Sequence, residues 1–458
     1  MPDTGESTTV RLNRNPRLFD WYLMPESFTA RLVSDAIAEF GVGRGCTVLD
    51  PFCGTGTTLV AAMLEARNAL GIEVNPFLAF ASRTKTRTDY DLPSLRHETE
   101  MLLTAAHSVL KRMDDEVGCS AVLSEQLPDM PRLERWIARK VACKVIALRR
   151  CIEEHVSPHN RDVPVLALAS ILRSVSNMKL SPHAFGSREV KHDAPVLPMF
   201  ERKLRKMLDD IEWLMWVHTH AACDTLDAPD MYDRYAGYAG YAGRDGYAGY
   251  AGAGIGYARV VEDDVREAGI LALADMAGVV GSLLPAQLAI TSPPYLNNLD
   301  YTMQTRLELF FLGFVRDMEE LKALRKRMMV SDAKAMYRDV LDWQRVEEVQ
   351  SIQRVAASID ERLGNRGWGW DYGHMTRQYF GGLLRAMEAV RTMLAPGAHF
   401  VMILGESAHG GVLVPVPDLA VELGRIAGYR SGHVRTLRMR RSSSHAFSLR
   451  ECAVVLGV

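Results

Sequence analysis

Thr47-Val48-Leu49-Asp50-Pro51-Phe52-Cys53-Gly54-Thr55-Gly56-Thr57-Thr58 decides the fold. Its first four residues are a short apolar run ending on a carboxylate, the pattern of a buried strand. Gly54 and Gly56 then let the backbone turn tightly and pass close to a ligand. Thr57 to Ala66 reads as a helix that starts directly after the glycine turn, and Ala69 to Val74 reads as the next strand. Strand, glycine turn, helix and strand make the βαβ unit of a parallel sheet. The free N–H groups of the helix start point at whatever sits above the first strand. Glu73 falls 23 residues after Asp50, near the end of the second strand. A carboxylate there is placed to accept hydrogen bonds from both hydroxyls of a ribose. The dinucleotide fingerprint G-x-G-x-x-G is not completed, because Leu59 stands where its third glycine would be. That weighs against an NAD site.

Strand–helix alternation returns after residue 259. Arg259 to Asp263, Leu288 to Thr291 and His399 to Leu404 read as strands, Tyr379 to Leu394 as an amphipathic helix, and Pro396-Gly397 as a turn. Val434 to Arg438 and Cys452 to Leu456 read as a terminal hairpin. Residues 89–228 are different: apolar residues recur at helical spacing in Thr99 to Met113, Leu133 to Glu154 and Phe200 to Val217, with few strand signals. Residues 229–258 hold a Tyr-Ala-Gly tract, including Tyr235-Ala236-Gly237 and Tyr250-Ala251-Gly252, with no large aliphatic residue in the repeats before Ile255. Such a tract has little to bury and reads as a linker. A row of tyrosines stacking on bases is the sharper reading, but it needs rigid support. The predicted class is therefore α/β: residues 1–88 and 259–458 build one sheet, interrupted by a helical insert and the linker.

The chain has 458 residues, 48% of them hydrophobic, enough for a large core and a second region. The apolar runs are all shorter than the roughly 18 residues of a membrane helix. Met1 to Val10 is polar and acidic, unlike a secretion signal. Seven scattered cysteines lack metal or disulfide spacing and read as free thiols of a cytoplasmic protein. Lys plus Arg is 54 and Asp plus Glu is 56, so overall charge does not point to nucleic acid. Local patches must do so. The clearest is Arg430, Arg435, Arg438, Arg440, Arg441 and Arg450 with Ser442 to Ser444, which reads equally as a phosphate-binding face or a solvated one.

The second motif is Thr291-Ser292-Pro293-Pro294-Tyr295, at the end of an apolar strand. Two prolines stiffen the chain and remove two N–H donors. Carbonyls and the Ser292 hydroxyl remain as acceptors, and Tyr295 offers a flat face, a site suited to a planar group bearing NH₂. Together, DPFCGTGT and TSPPY resemble motifs I and IV of the amino-group DNA methyltransferases, which modify cytosine N4 or adenine N6. The resemblance covers residues 17–88 and 259–458 and implies a Rossmann-like, S-adenosylmethionine-dependent methyltransferase sheet. It implies that Asp50, Pro51, Phe52, Cys53, Gly54, Thr55, Gly56 and Thr57 surround the methionine part of the cofactor, that Glu73 holds the ribose, and that Asp264 contacts the adenine. Tyr22, Pro25 and Phe28 resemble motif X, which closes over the methionine end, although Thr29 stands where the family has proline. Ser292, Pro293, Pro294 and Tyr295 would hold the target base. No metal is implied.

The chemistry follows from these groups. An exocyclic amino nitrogen is a poor nucleophile because its lone pair is delocalised. Two acceptors, the Ser292 hydroxyl and the Pro293 carbonyl, bind its hydrogens and aim the lone pair at the methyl, so catalysis is positioning and electrostatics. The base must leave the duplex to be reached. Ser-Pro-Pro-Tyr favours cytosine N4 in the family, with adenine N6 or an RNA base as the alternative. A silent DNA-binding module is the rival of another class. DNA is the expected partner, a cognate restriction endonuclease is a candidate one, and the helical insert is the candidate target-recognition region.

Overall fold

The computed structural model describes residues 17–114, 127–181, 183–187, 189–220, 255–267, 281–333, 337–364, 371–441 and 448–458. In chain order its strands are β1 (Thr47–Asp50), β2 (Asn68–Ile72), β3 (Met178–Ser181), β4 (His183–Gly186), β5 (Ala258–Val261), β6 (Ala286–Thr291), β7 (Leu394–Gly405), β8 (Ser407–His409), β9 (Val412–Val414), β10 (Ser431–Arg441) and β11 (Ser448–Gly457). Seven form one sheet in the order β10-β11-β7-β6-β1-β2-β5. The strands from β7 through β5 run parallel, with Leu49 opposite Ala289 and Asp50 opposite Gly71. β11 is antiparallel to β7, and β10 to β11. This is the expected α/β fold with a mostly parallel central sheet.

Alternation along the central strands sends side chains to two cores. Val48, Leu288, Ile290, Val401 and Ile403 face one core, shared with the helices Leu92–Asp114, Arg139–His155, Asp162–Val175 and Val196–His220. Leu49, Ala289, Phe400, Met402 and Leu404 face the other, under the helices Tyr372–Met393 and Val416–Ile426. The Ala30–Glu39, Thr57–Leu64 and Pro76–Thr86 helices pack on the first of these two faces of the sheet, and the helices between residues 92 and 220 pack on one another in the core continuous with it. Among the described residues, no helix is long and apolar enough to cross a membrane.

Several elements differ from the sequence expectation. The run Leu133 to Glu154 is two helices, Leu133–Trp136 and Arg139–His155, because Ile137 is extended at φ −152°. The Tyr379 helix starts a turn or more earlier, at Tyr372, where Asp371 accepts from the His374 N–H at 2.7 Å. Pro396-Gly397 does not end a strand. β7 runs through it, and register passes from Ala286 opposite Leu394 to Leu288 opposite His399, so the dipeptide is absorbed as a bulge with Gly397 at φ +79°. The β3–β4 ribbon was not foreseen, since four-residue strands carry little periodic signal. The terminal hairpin forms as expected and joins the sheet through β11. The Tyr-Ala-Gly tract, through residue 254, lies outside the described residues.

Candidate active site

β1 and β6 are neighbours, but the chain leaves β1 towards β2 and β5, and leaves β6 towards β7. A crevice opens above the strand ends at such a reversal. Both motifs end there. Asp50 closes β1, and its buried carboxylate joins three segments: Oδ1 accepts from the Thr291 hydroxyl at 2.6 Å and the Phe52 N–H at 3.1 Å, and Oδ2 accepts from the Thr58 hydroxyl at 2.5 Å. Burial pushes its pKa up to about 6, against these bonds. Asp50 therefore braces the loop against β6 and the Thr57–Leu64 helix.

Gly54 and Gly56 both take left-handed φ, +51° and +79°. Gly56 caps the Thr57–Leu64 helix, and a Cβ there would lie 2.4 Å from the Ser82 hydroxyl. At Gly54 a Cβ would meet nothing within 4 Å. Glu73 sits just past β2 and steadies the glycine loop: Oε2 accepts from the Gly54 N–H at 2.8 Å, and Oε1 from the Asn75 N–H at 2.8 Å. Each oxygen keeps a second lone pair. Burial lifts the Glu73 pKa to about 7.

One cleft gathers most of the expected residues. Phe28, Asp50, Pro51, Phe52, Cys53, Gly54, Thr55, Thr57, Glu73, Asp264, Ser292 and Pro294 line it. Gly56, which packs against Ser82, and Pro293 and Tyr295 are not among the residues that line it. Tyr22 is buried outside the cleft, where its hydroxyl donates to Glu308 Oε1 at 2.8 Å and accepts from Arg173 Nη2 at 3.3 Å. It ties the N-terminal segment to the Asp162–Val175 helix rather than facing the cavity. The cleft is also lined by residues that sequence reasoning missed: Met24, Glu26, Ser27, Val74, Leu78, Tyr301 and, from far along the chain, Arg327 to Met329. Those near the motifs were discoverable as their neighbours; Arg327 to Met329 carried no signal.

A DNA methylase family model matches residues 20–81, the stretch that supplies Glu73 and the glycine loop. The Type II methyltransferase M.BsoBI of Geobacillus stearothermophilus is 21% identical over 462 aligned positions, covering 95% of this chain and 83% of the relative. The chain is thus similar to amino-group DNA methylases over residues 20–81 and to a Type II methyltransferase over most of its length. The Type II methyltransferase M.MvaI of Kocuria varians is 23% identical over 130 positions, 28% of each chain. No solved structure matches.

This likeness implies S-adenosylmethionine as methyl donor, and the cleft fits it. Glu73 offers acceptors for a ribose, the space above Gly54 admits close approach, and Ile72, Val74, Val265 and Met329 supply apolar walls for a flat ring. On the other side of the cleft, the Ser292 hydroxyl donates to the Ile403 carbonyl at 3.3 Å, which leaves its lone pairs as acceptors. Tyr295 is held at three points. Its N–H donates to the Tyr301 hydroxyl at 3.1 Å, its hydroxyl donates to Glu451 Oε1 at 3.1 Å, and the Arg440 guanidinium carbon lies 5.9 Å from the ring centroid. Burial and the Glu451 charge push the Tyr295 phenol well up, so it stays neutral.

The C-terminal arginines require a correction. Arg435 pairs with Glu39, Arg438 with Glu451, and Arg450 with Glu406 and Asp418, while Arg440 donates to the Glu406 carbonyl. Of the six, only the exposed Arg430 and Arg441 make no side-chain bond among the described residues. Most of this patch locks the hairpin to the sheet. Ser442 to Ser444 lie outside the described residues.

Proposed function

We propose that this methylase transfers a methyl group from S-adenosylmethionine to cytosine N4 of a base flipped out of DNA. The observation that carries the reading is the Ser292 hydroxyl, donated to Ile403 at the rim of the same cleft as Glu73. Bound S-adenosylmethionine supplies an activated methyl on a sulfonium. Glu73 accepts from the ribose hydroxyls, Asp264 accepts from the adenine amino group, and residues 50–57 with Phe28 enclose the methionine end. Ser292 Oγ and the Pro293 carbonyl accept the two amino hydrogens of the target, turning its lone pair towards the methyl. Ser292 Oγ and the Pro293 carbonyl would keep hold of the amino hydrogens until the methylated nitrogen releases one of them as a proton to solvent. Tyr295, fixed by Glu451 and Tyr301, replaces the stacking that the base loses on leaving the duplex. No covalent enzyme intermediate is required.

DNA is the substrate in this reading, and a cognate endonuclease is a candidate partner in a restriction–modification pair. The insert supports a role in gripping DNA. Its β3–β4 ribbon packs against the short helix Tyr301–Gln304 that follows Tyr295. Arg135 and Arg139 are exposed and make no side-chain bond among the described residues, whereas Arg149 is engaged by Glu153 and the Phe311 carbonyl.

The base is tested by nucleoside mass spectrometry of DNA and RNA incubated with the protein and cofactor. N4-methylcytosine in DNA is expected. N6-methyladenine without N4-methylcytosine would overturn the choice of base, and methyl transfer to RNA alone would overturn the choice of polymer.

A further inference from the structure

The cleft wall formed by Asp264 and Arg327 to Met329 rests on a buried ion cluster that methyl transfer itself does not use. Arg266 has a side chain only 4% exposed. Its Nε lies 3.0 Å from both oxygens of Asp264, its Nη2 donates to Asp264 Oδ2 at 2.7 Å, and its backbone N–H donates to Asp264 Oδ1 at 3.0 Å. Nη1 donates to Asp342 Oδ2 at 2.5 Å, and Nη2 also reaches the Arg327 carbonyl at 2.7 Å. Asp342 is 1% exposed and takes a second bond from Arg385 Nη1 at 2.6 Å. The Tyr372–Met393 helix makes room for the cluster with two adjacent glycines. A Cβ on Gly381 would lie 1.8 Å from the Asp342 carbonyl oxygen, and one on Gly382 would lie 3.1 Å from Asp342 Oδ2 and 3.5 Å from Arg266 Nη1.

Burying this many charges costs solvation, and a well-packed apolar replacement is often as stable. Mid-helix glycines are a further cost. What the cluster does deliver is geometry. One guanidinium fixes the carboxylate of Asp264 and the backbone leading into Met328 and Met329, and all of these face the cleft. We propose that Arg266 is a positioning residue for the adenine end of the cofactor, holding Asp264 and the Arg327–Met329 segment together as one wall. The inference rests on the cofactor reading above. A fixed carboxylate accepts from the 6-amino group of adenine and opposes the 6-carbonyl of hypoxanthine, so the wall selects between two purines of the same size.

The test is calorimetric binding of S-adenosylhomocysteine and S-inosylhomocysteine to the full chain. The unaltered protein should prefer the adenosyl compound by about a hundredfold, and Arg266→Lys, which keeps the charge but not the fork, should reduce the preference below about tenfold. Turnover at saturating cofactor should change little, with the loss falling on KM. Asp342→Asn frees the other arm of Arg266 and leaves Asp264 paired, so it should give an intermediate preference even where Arg266→Lys is poorly folded. An unchanged preference in a folded variant overturns the proposal. A protein that binds neither compound overturns the cofactor reading itself. Binding without any preference in the unaltered protein overturns the role of Asp264, and that of Arg266 with it.

Discussion

Asp50 at the end of β1 and Thr291 at the end of β6 are joined by a 2.6 Å hydrogen bond between buried side chains. It couples the cofactor loop to the loop that would hold the target base. Thr291→Val removes the donor and keeps the shape, leaving a buried carboxylate with one partner fewer. The expected cost is about 1–3 kcal/mol of stability. Thermal melting should show this, with a drop in turnover at saturating cofactor. Thr291→Ser restores the hydroxyl and should recover both, and a Thr291→Val protein as stable as the parent would mean that the bond contributes nothing.

Glu73 should govern cofactor affinity and its pH dependence. Glu73→Ala loses two hydrogen bonds to ribose, each typically about 0.5–1.5 kcal/mol net and up to roughly 1.5–3 when charged. Calorimetry with S-adenosylhomocysteine measures the loss, and unchanged affinity would count against the assignment.

The same burial makes an opposite prediction for the empty protein. Glu73 rises from an ordinary 4.5 to about 7, and Asp50 from 3.8 to about 6. Between those limits the folded chain holds protons that the unfolded chain has released, so stability falls as pH rises through the window. The melting temperature of the ligand-free protein should decline from about pH 4 to 7 through these groups. Glu73→Gln should remove its share of that decline, and a decline of the same size in the variant would contradict the shift.

Ser292→Ala should abolish most turnover while leaving S-adenosylhomocysteine affinity within about twofold, because in the proposed reading the hydroxyl serves the base and not the ribose. Weakened cofactor binding with normal turnover would move Ser292 out of the base site.

Charge reversal at Arg135 and Arg139 should weaken DNA binding and flatten its salt dependence by roughly 0.9 in log–log slope for each phosphate no longer neutralised. Both residues are exposed and make no side-chain bond among the described residues, so the melting temperature should hold. An unchanged slope would count against the insert's role in gripping DNA. Arg149 is unsuitable for this test, since its bond to the Phe311 carbonyl is structural.

What the sequence by itself determined is local. Thr47 to Asp50, the glycine turn, the helix after it and the strand leading to Glu73 follow from apolar runs, glycine freedom and helix-start geometry, all settled within a few residues. The end of β6 at Thr291-Ser292-Pro293-Pro294-Tyr295 was legible for the same reason. Most of the cleft could be named from those two segments and the Asp264 resemblance. What only the tertiary structure decided is pairing over distance. Tyr22 reads as a cofactor contact but spends its hydroxyl on Glu308 and Arg173, and the C-terminal arginines read as a phosphate patch but are mostly paired with Glu39, Glu406, Asp418 and Glu451. Arg327 to Met329 entered the cleft wall unannounced, held by Arg266. A side chain's residue type says what it can bond; which partner it finds depends on how distant segments pack, and that packing decides whether the group also faces the cleft, as Glu73, Asp264 and Ser292 do and Tyr22 does not.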